Sequence, residues 1–265
     1  MPAIEGPLLS IRDVTRRFGG VVALDDVSFD VAPGAVVGLI GPNGAGKTTL
    51  FNCITRVYTP QGGDVLLEGE SLLGLRAHEV ARRGVTRTFQ NVSLFGNMSV
   101  IDNVLVGYHF RMRGVPLYSL QSVLRLPAIR DLEAEAVARA REALDLVGLG
   151  AVAGRPVRGL PFGMLKAVEL ARAIVSKPKL LLLDEPAGGL NHEELSRLSE
   201  LIGKIHNDLG LTTLVVEHHM GLVMGISQRV VVLDFGRKIA EGTPREVQND
   251  AEVIRAYLGA GSKSA

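Results

Sequence analysis

A glycine-rich segment of eight residues constrains this 265-residue chain more than any other feature of its sequence. The segment fits the pattern G-x-x-x-x-G-K-[ST]. The apolar residues 35–40 precede it as a predicted buried strand, and residues 49–54 follow it as a predicted helix. This motif requires a strand, a glycine loop and a helix in that order. The eight residues are Gly41, Pro42, Asn43, Gly44, Ala45, Gly46, Lys47 and Thr48, and Thr49 comes directly after them.

Each part of this segment, the phosphate loop, suits a phosphate ligand. Glycines let the backbone wrap closely around phosphates, and the N-terminus of the following helix adds partial positive charge. Lys47 can reach the β- and γ-phosphates, while the Thr48 hydroxyl can join the coordination shell of magnesium. An ordinary glycine-rich turn before a helix needs neither that charge nor that hydroxyl. The sequence therefore predicts a nucleoside triphosphate site over residues 41–49.

A second chemical site is predicted where the aliphatic run of residues 180–183 ends in two carboxylates. Such a run is typical of a parallel strand that is buried on both faces. Asp184 and Glu185 then lie at the carboxyl edge of the sheet, where α/β proteins bind ligands. We expect Asp184 to act on the magnesium side and Glu185 to orient or deprotonate the attacking water. By itself the stretch also fits a core strand followed by an exposed acidic turn, and the phosphate loop favours the catalytic interpretation.

The first half of the chain reads as α/β, with a helical insertion after it. Alternating apolar residues at 27, 29 and 31 predict a half-buried antiparallel strand. Apolar residues at steps of three and four, with Gly148 where a cap belongs, predict helix up to about residue 149. The other predicted elements are a strand at 8–14, a turn at 15–20, a strand at 64–69, a strand end at 86–90 and helical structure from about residue 100.

The second half continues the α/β pattern. Asn191 is expected to cap a helix, with Glu194 closing a capping box, and Gly210 ends that helix. A strand at 211–216 leads into two histidines at 218 and 219. Near the end, Thr243 is expected to cap a short helix that runs to about Leu258, with proline in its first position.

Composition limits the partners and the location. Lysine and arginine total 29 against 28 aspartates and glutamates, so the chain has no large excess of positive charge that would indicate a nucleic-acid partner. The single cysteine, Cys53, excludes an internal disulfide and fits a reducing compartment. Residues 1–7 lack the basic and apolar regions of a secretory signal, and no apolar run approaches the roughly 20 residues that span a bilayer. We expect a soluble chain with no nucleic-acid partner.

Taken in order, these motifs resemble the ATP-binding subunits of ABC transporters, over nearly the whole chain. The resemblance implies an ATPase with ATP and Mg²⁺ as cofactors. It implies one ABC ATPase domain at 1–265, with a parallel-sheet core and an antiparallel N-terminal β-subdomain. It further implies a helical subdomain at 97–173 and a C-terminal helical extension at 243–258.

The resemblance also assigns roles to single residues. Phe18 matches the aromatic that stacks on adenine, although alone it would more often be a core residue. Gln90 matches the glutamine that links the magnesium site to the membrane subunits, and His218 the switch histidine that contacts the γ-phosphate. Alone, His218 would equally fit an ordinary surface residue. Asn191 stands where the family usually has aspartate, which keeps the helix cap but removes a charge from a loop facing the partner.

The family signature, close to Leu-Ser-Gly-Gly-Gln, matches Leu160, Pro161, Phe162 and Gly163. Proline replaces the serine whose hydroxyl contacts the partner's nucleotide in the family. Since proline is tolerated in the first turn of a helix, the helix dipole and the Gly163 N–H are expected to face that phosphate still. The resemblance thus implies a composite ATP site with a weakened contact.

Within the family, the chain is most similar to ATP-binding subunits of branched-chain amino acid importers. The similarity lies in the Leu-Pro-Phe-Gly sequence, residues 216–220 and residues 256–259. Such subunits pair with a second ATPase subunit, either a copy or a different cassette. They drive two integral-membrane permeases from the cytoplasmic face of the cell membrane, and a soluble binding protein delivers the solute. Related importers carry urea, amides or other small amphipathic solutes, so the transported solute stays open.

Three other classes of protein share some of these features. A GTPase would need a guanine-reading Asn-Lys-x-Asp, which the sequence lacks, and it gives no reason for Glu185. A small-molecule kinase would leave residues 160–173 and His218 unexplained. A non-transport ABC ATPase of translation or DNA repair is the main alternative, but such proteins usually carry two cassettes or a long coiled coil, and neither is present.

Overall fold

Two β-sheets and the helices packed on them form the frame of the molecule. The structure is a computed structural model that describes residues 6–88, 93–109 and 127–261. The strands are β1 (Leu9–Phe18), β2 (Val21–Val31), β3 (Val36–Ile40), β4 (Gly62–Leu67), β5 (Glu70–Ser71), β6 (Val85–Arg87), β7 (Leu180–Asp184), β8 (Thr212–Val216), β9 (Arg229–Asp234) and β10 (Arg237–Gly242). The helices are α1 (Lys47–Ile54), α2 (Ala77–Arg82), α3 (Val100–Val106), α4 (Pro127–Leu146), α5 (Phe162–Ile174), α6 (His192–Leu209), α7 (Met220–Ile226), α8 (Pro244–Gln248) and α9 (Ala251–Gly261), with a short 3₁₀ helix at Gly150–Val152.

The central sheet has the strand order β10-β9-β3-β8-β7-β6 in the described part of the chain. Neighbouring strands from β9 to β6 run parallel, and β10 pairs antiparallel at one edge. The second sheet, of order β2-β1-β4-β5, is antiparallel throughout. The predicted parallel core and antiparallel N-terminal sheet are therefore confirmed.

Strand β7 shows why the aliphatic run is continuous. Leu180 and Leu182 belong to the core between the two sheets, together with α1. Leu181 and Leu183 point to the opposite face, into the core formed with α4, α5 and α6. All five residues of β7 are buried, as predicted for a parallel strand covered on both faces.

Helix α6 follows its predicted pattern closely. Asn191 caps it by accepting the N–H of Glu194 at 3.0 Å, and the Glu194 carboxylate accepts the N–H of Asn191 at 3.0 Å. Its buried stripe consists of Leu198, Ile202 and Ile205, and Gly210 closes it in the left-handed conformation. The predicted capping box and helix end are confirmed.

Two predicted boundaries are wrong. Strand β1 does not end at residue 14 but continues to Phe18, because β2 pairs with it through three register shifts, and the turn is confined to residues 19 and 20. The predicted C-terminal helix at 243–258 is two helices. Thr243 caps α8 as expected, but Asp250 starts α9 by accepting the N–H groups of Glu252 and Val253 at 2.8 and 3.0 Å. Helices α3, α4 and α5 overlap the predicted subdomain at 97–173, whose limits stay a prediction.

Candidate active site

The phosphate loop joins β3 to α1 with a backbone that only glycine allows at two positions. Gly41 has φ 151° and Gly46 has φ 102°. A Cβ atom on Gly41 would lie 2.1 Å from the carbonyl oxygen of Leu233, and one on Gly46 would lie 2.4 Å from that of Ala23. Both contacts are shorter than real Cβ atoms show, so neighbouring backbone on β9 and β2 fixes the loop's path.

Lys47 is the first residue of α1 and is buried. Its Nζ donates to the carbonyl oxygens of Gly41 at 2.6 Å and Pro42 at 2.9 Å. Burial lowers the pKa of Lys47, and the nearby negative charge of Glu185 opposes that shift. The ammonium group is therefore held inside the loop by carbonyls, in partly dehydrated surroundings where a phosphate would be a stronger partner.

The carboxyl end of β7 carries the two predicted acids in different surroundings. The Asp184 side chain is 5% exposed, and its Oδ2 accepts a hydrogen bond from Arg87 Nη2 at 2.6 Å. Glu185 has φ 46°, and its N–H donates to the carbonyl of Val216 at 2.8 Å. A left-handed conformation costs a residue with a side chain about 1–3 kcal/mol. The bond to β8 holds Glu185 in this turn, away from the direction of the strand.

The carboxyl end of β8 adds a buried acid that the sequence analysis did not single out. Glu217 is fully buried, and its carboxylate accepts the N–H groups of Ala187 at 2.9 Å, His218 at 2.9 Å and His219 at 3.3 Å. It thereby ties the loop after β8 to the loop that carries Glu185. A carboxylate that ends an apolar strand was the signal used for Asp184, and the same signal would have found Glu217.

His218 lies between two carboxylates. Its Nδ1 is 3.3 Å from Oε1 of Glu217 and 3.9 Å from Oε2 of Glu185. Its side chain is half exposed, so the imidazole meets solvent on its other side. The fold thus brings together Glu185 and His218, two residues that the sequence predicted for the same chemistry.

Phe18 ends β1 as a partly exposed side chain rather than a core residue. Its ring meets Tyr58 edge to face at 5.1 Å, and the Arg16 guanidinium lies 4.5 Å from its centroid. This packing fixes the ring in position while leaving surface for a base to stack on. The stacking role itself stays a prediction.

The signature stretch begins α5. Pro161 is the N-cap of α5 and not, as was expected, a residue of its first turn: the helix starts at Phe162, and the N–H of Leu165 donates to the Pro161 carbonyl at 3.1 Å. The side chain of Pro161 makes no capping hydrogen bond at this end of the helix. The Phe162 ring lies against Gly189 in the loop after Glu185, and Gly163 faces the Glu194 side chain. Leu160, directly before the cap, is partly buried against the helical core.

Apart from Phe18 and Gln90, the predicted site residues fall into two groups. One group lies at the carboxyl ends of three neighbouring parallel strands of the central sheet: the phosphate loop after β3, Asp184 and Glu185 at the end of β7, and His218 after β8. Residues 160–163 share no hydrogen bond with the phosphate loop in the described part of the chain. Gln90 lies outside the described residues.

The described residues contain no group of three or more histidine, cysteine, aspartate or glutamate side chains that would hold a metal alone. Magnesium is usually held by one or two carboxylates together with substrate phosphates. A buried Asp184 at the strand end and a Thr48 hydroxyl in the first turn of α1 are donors of that kind. None of the described helices combines the length and the apolar character needed to cross a bilayer.

Known protein families and curated proteins match this sequence over most of its length. The sequence model described as ABC transporter matches residues 24–188, and that of the branched-chain amino acid ATP-binding cassette transporter matches residues 237–263. The chain is 46% identical over 253 residues to the high-affinity branched-chain amino acid transport ATP-binding protein LivG of Escherichia coli, covering 96% of this chain and 98% of that protein. It is 44% identical over the same length to BraF of Pseudomonas aeruginosa. The sulfate/thiosulfate import protein CysA of the same organism is 33% identical, and the match covers 72% of its length.

Solved structures give the same picture. An ATP-binding cassette of an ABC transporter, crystallised in its ADP conformation, superposes with a TM-score of 0.82 at 30% identity, covering 96% of this chain and 99% of that one. A second cassette, in a dimeric post-hydrolysis state with ADP and Pi, superposes with a TM-score of 0.72 at 25% identity. The fold predicted from the sequence is confirmed.

Proposed function

The chain belongs to the ATP-binding subunits of ABC transporters, and we propose that it hydrolyses ATP to power an importer of branched-chain amino acids. One observation carries the choice of importer: the chain matches LivG at 46% identity along nearly its whole length, against 33% for the sulfate/thiosulfate protein CysA. The separate match of residues 237–263 to a branched-chain transporter model agrees with it. The relatives LivG, BraF and CysA are transport or import proteins by name, which favours transport over the non-transport alternative.

ATP binding rests on the phosphate loop. We assign the triphosphate to the phosphate loop, where every residue except Pro42 offers a backbone N–H, and to Lys47, whose ammonium exchanges its two carbonyl partners for phosphate oxygens. The adenine is expected to stack on Phe18. When bound, Mg²⁺ neutralises phosphate charge, and Thr48, Asp184 and Gln90 are the residues assigned to hold it.

Hydrolysis is assigned to Glu185 and His218. The Glu185 carboxylate orients the attacking water and takes its proton, and His218 donates a hydrogen bond toward the γ-phosphate. Glu217 supports both groups, since it fixes the backbone at Ala187 and at His218 with charge-assisted hydrogen bonds. The strained turn at Glu185 keeps its side chain out of the sheet and near the imidazole.

Coupling to transport needs partners. We propose that a second ATPase subunit, identical or different, closes over the phosphate loop with its own signature residues, while Leu160, Pro161, Phe162 and Gly163 of this chain face the partner's nucleotide. Gln90 and the helical subdomain at 97–173 are assigned to contact with two integral-membrane permeases. The complex then sits on the cytoplasmic face of the cell membrane and receives its solute from a binding protein outside.

The test is reconstitution. The chain is placed in proteoliposomes with the permeases and binding protein encoded beside its gene, and ATP-driven uptake of labelled leucine, isoleucine and valine is compared with that of sulfate and urea. We expect uptake of the branched-chain amino acids alone, lost in Lys47→Ala. Uptake of another solute would overturn the substrate class, and ATP hydrolysis that no permease stimulates would overturn the transport function.

A further inference from the structure

Arg87, which belongs to no recognised sequence motif, forms a largely buried ion pair with Asp184, the acid assigned to magnesium. Its Nη2 donates to Asp184 Oδ2 at 2.6 Å, and its Nη1 donates to the Asn52 side-chain oxygen at 2.7 Å. The Arg87 and Asp184 side chains are 13% and 5% exposed. The guanidinium carbon lies 5.5 Å from the centre of the Phe51 ring on α1. A full positive charge thus sits between the phosphate-loop helix and the end of β7.

The sheet register explains this placement. Arg87 ends β6 and pairs with Leu182 of the parallel neighbour β7. Leu182 and Asp184 are two residues apart and share one face of the sheet, which is the face that α1 covers. The arginine side chain therefore reaches along that face to the carboxylate, on the side of the sheet that is covered by α1.

The guanidinium is not fully satisfied by these partners. Its Nε is buried and has no hydrogen-bond partner among the residues that the structure describes. Buried donors without partners are rare in native proteins and call for an explanation. A guanidinium that exchanges partners between two functional states accounts for both the strong bond to Asp184 and the unused donor.

We propose that Arg87 is a positioning residue that acts through Asp184, as an exchangeable counter-ion for the carboxylate that holds magnesium. Without nucleotide, Arg87 neutralises the buried acid, which would otherwise be costly to bury. When Mg²⁺ and ATP bind, two cations compete for one carboxylate, and their repulsion weakens metal binding. Arg87 thus lowers the affinity of the site for magnesium. This inference rests on the proposed function.

The experiment separates the charge of Arg87 from its hydrogen bonds. Arg87→Gln keeps a donor but loses the charge, whereas Arg87→Lys keeps the charge. Binding of Mn²⁺, used as a magnetic probe, is measured by electron paramagnetic resonance with a saturating non-hydrolysable ATP analogue. We expect roughly tenfold tighter Mn²⁺ binding in Arg87→Gln, since a neighbouring unit charge is removed, and a change below about twofold in Arg87→Lys.

Two further measurements distinguish a failure of the proposed nucleotide site from a failure of the proposal about Arg87. Affinity for the analogue in EDTA is expected to be equal in all variants, and its absence in the parent would reject the nucleotide site itself rather than this inference. Arg229→Gln, which breaks an exposed pair with Glu241, serves as the control and is expected to leave Mn²⁺ binding unchanged.

Equal or weaker Mn²⁺ binding in Arg87→Gln overturns the proposal, because a purely structural arginine would support Asp184 rather than compete for it. Arg87→Met, whose apolar side chain packs on Phe51, is the second neutral variant and is expected to behave as the glutamine does. If both neutral variants fail to fold while Arg87→Lys folds, the charge serves the core and the proposal is wrong.

Discussion

Oε1 of the buried Glu217 lies 3.3 Å from Nδ1 of His218 and accepts the backbone N–H of the same histidine at 2.9 Å. One oxygen therefore fixes both the main chain and the ring of the predicted switch histidine. The other oxygen binds the N–H of Ala187, two residues after Glu185. The two loops that carry the predicted hydrolytic groups thus share a single buried anchor.

Replacing Glu217 should impair ATP hydrolysis more than it impairs ATP binding. Glu217→Gln offers one acceptor oxygen where three backbone N–H groups converge, and its amide adds a donor. We expect the free energy of unfolding to fall by about 1–3 kcal/mol and kcat for ATP hydrolysis to fall roughly 10–100-fold, with little change in ATP affinity. Steady-state kinetics and chemical denaturation test this against Glu200→Gln on the exposed face of α6. Parent-like kcat would show that His218 is oriented by other contacts.

Lys47 gives the sharpest binding prediction. Lys47→Ala removes the cation that the loop holds for the β- and γ-phosphates, so tight ATP binding should be lost. The loop keeps its path, because Gly41 and Gly46 are fixed by contacts with other strands. Titration with a fluorescent ATP analogue measures the loss, and the exposed Lys177→Ala is the matched control. Unchanged affinity would remove Lys47 from the site.

Glu185 gives the corresponding prediction for hydrolysis. Glu185→Gln keeps the size and the strained backbone of the residue but cannot accept a proton. Hydrolysis should slow by about 10²–10⁴, the usual contribution of a positioned acid or base, while ATP stays bound. On gel filtration with ATP the variant should therefore show a longer-lived dimer than the parent chain does, although Pro161 keeps the dimer fraction small. Hydrolysis at the parent rate would rule out Glu185 as the base.

The buried thiol of Cys53 should make the stability of the fold depend on pH. Burial raises the pKa of Cys53 to about 11, so the folded state keeps the thiol protonated where the unfolded chain already ionises. The stability that this contributes is present below the ordinary pKa of about 9 and is lost as the pH rises toward 11. Cys53→Ala should melt below the parent at pH 8, and the gap in Tm should narrow by pH 10.5. A gap that stays constant would show that the thiol ionises normally in the fold.

Much of the fold could be predicted because its signals are local. The continuous aliphatic run of β7 and the capping box at Asn191 each report their own surroundings, and both predictions are confirmed. The C-terminal segment was predicted as one helix because its cap residues mark where α8 begins and not where it ends. The decisive contacts there are the bonds from two N–H groups to the Asp250 side chain.

The site was predictable only in part, for a physical reason. Motif residues such as Lys47 and Asp184 can be recognised from the residues next to them in the sequence. Arg87 and Glu217 act through partners far along the chain, Asp184 for the first and Ala187 for the second. Only the pairing of β6, β7 and β8 brings these groups together, and no spacing in the sequence encodes that pairing.

Pro161 supports the last prediction. In the family, a serine at this position donates a hydrogen bond to the γ-phosphate across the dimer interface, and a bond to a charged group contributes roughly 1.5–3 kcal/mol. Here proline is the N-cap of α5, and its side chain makes no capping hydrogen bond. Self-association driven by ATP should therefore be weak in this chain. In a heterodimer, a partner with an intact signature would restore only the site built on this chain's phosphate loop, leaving one stronger and one weaker site.

Pro161→Ser in the Glu185→Gln background should tighten ATP-dependent homodimerisation, measured by sedimentation. A serine N-cap also stabilises the helix itself by about 1 kcal/mol, so Pro161→Asn is the control that caps α5 without the serine hydroxyl, and Pro161→Ala removes proline alone. We expect dimerisation to tighten with serine, and to change little with alanine or asparagine. If the parent already dimerises tightly with ATP and serine adds nothing, the backbone N–H groups and the dipole of α5 suffice, and the predicted asymmetry is wrong.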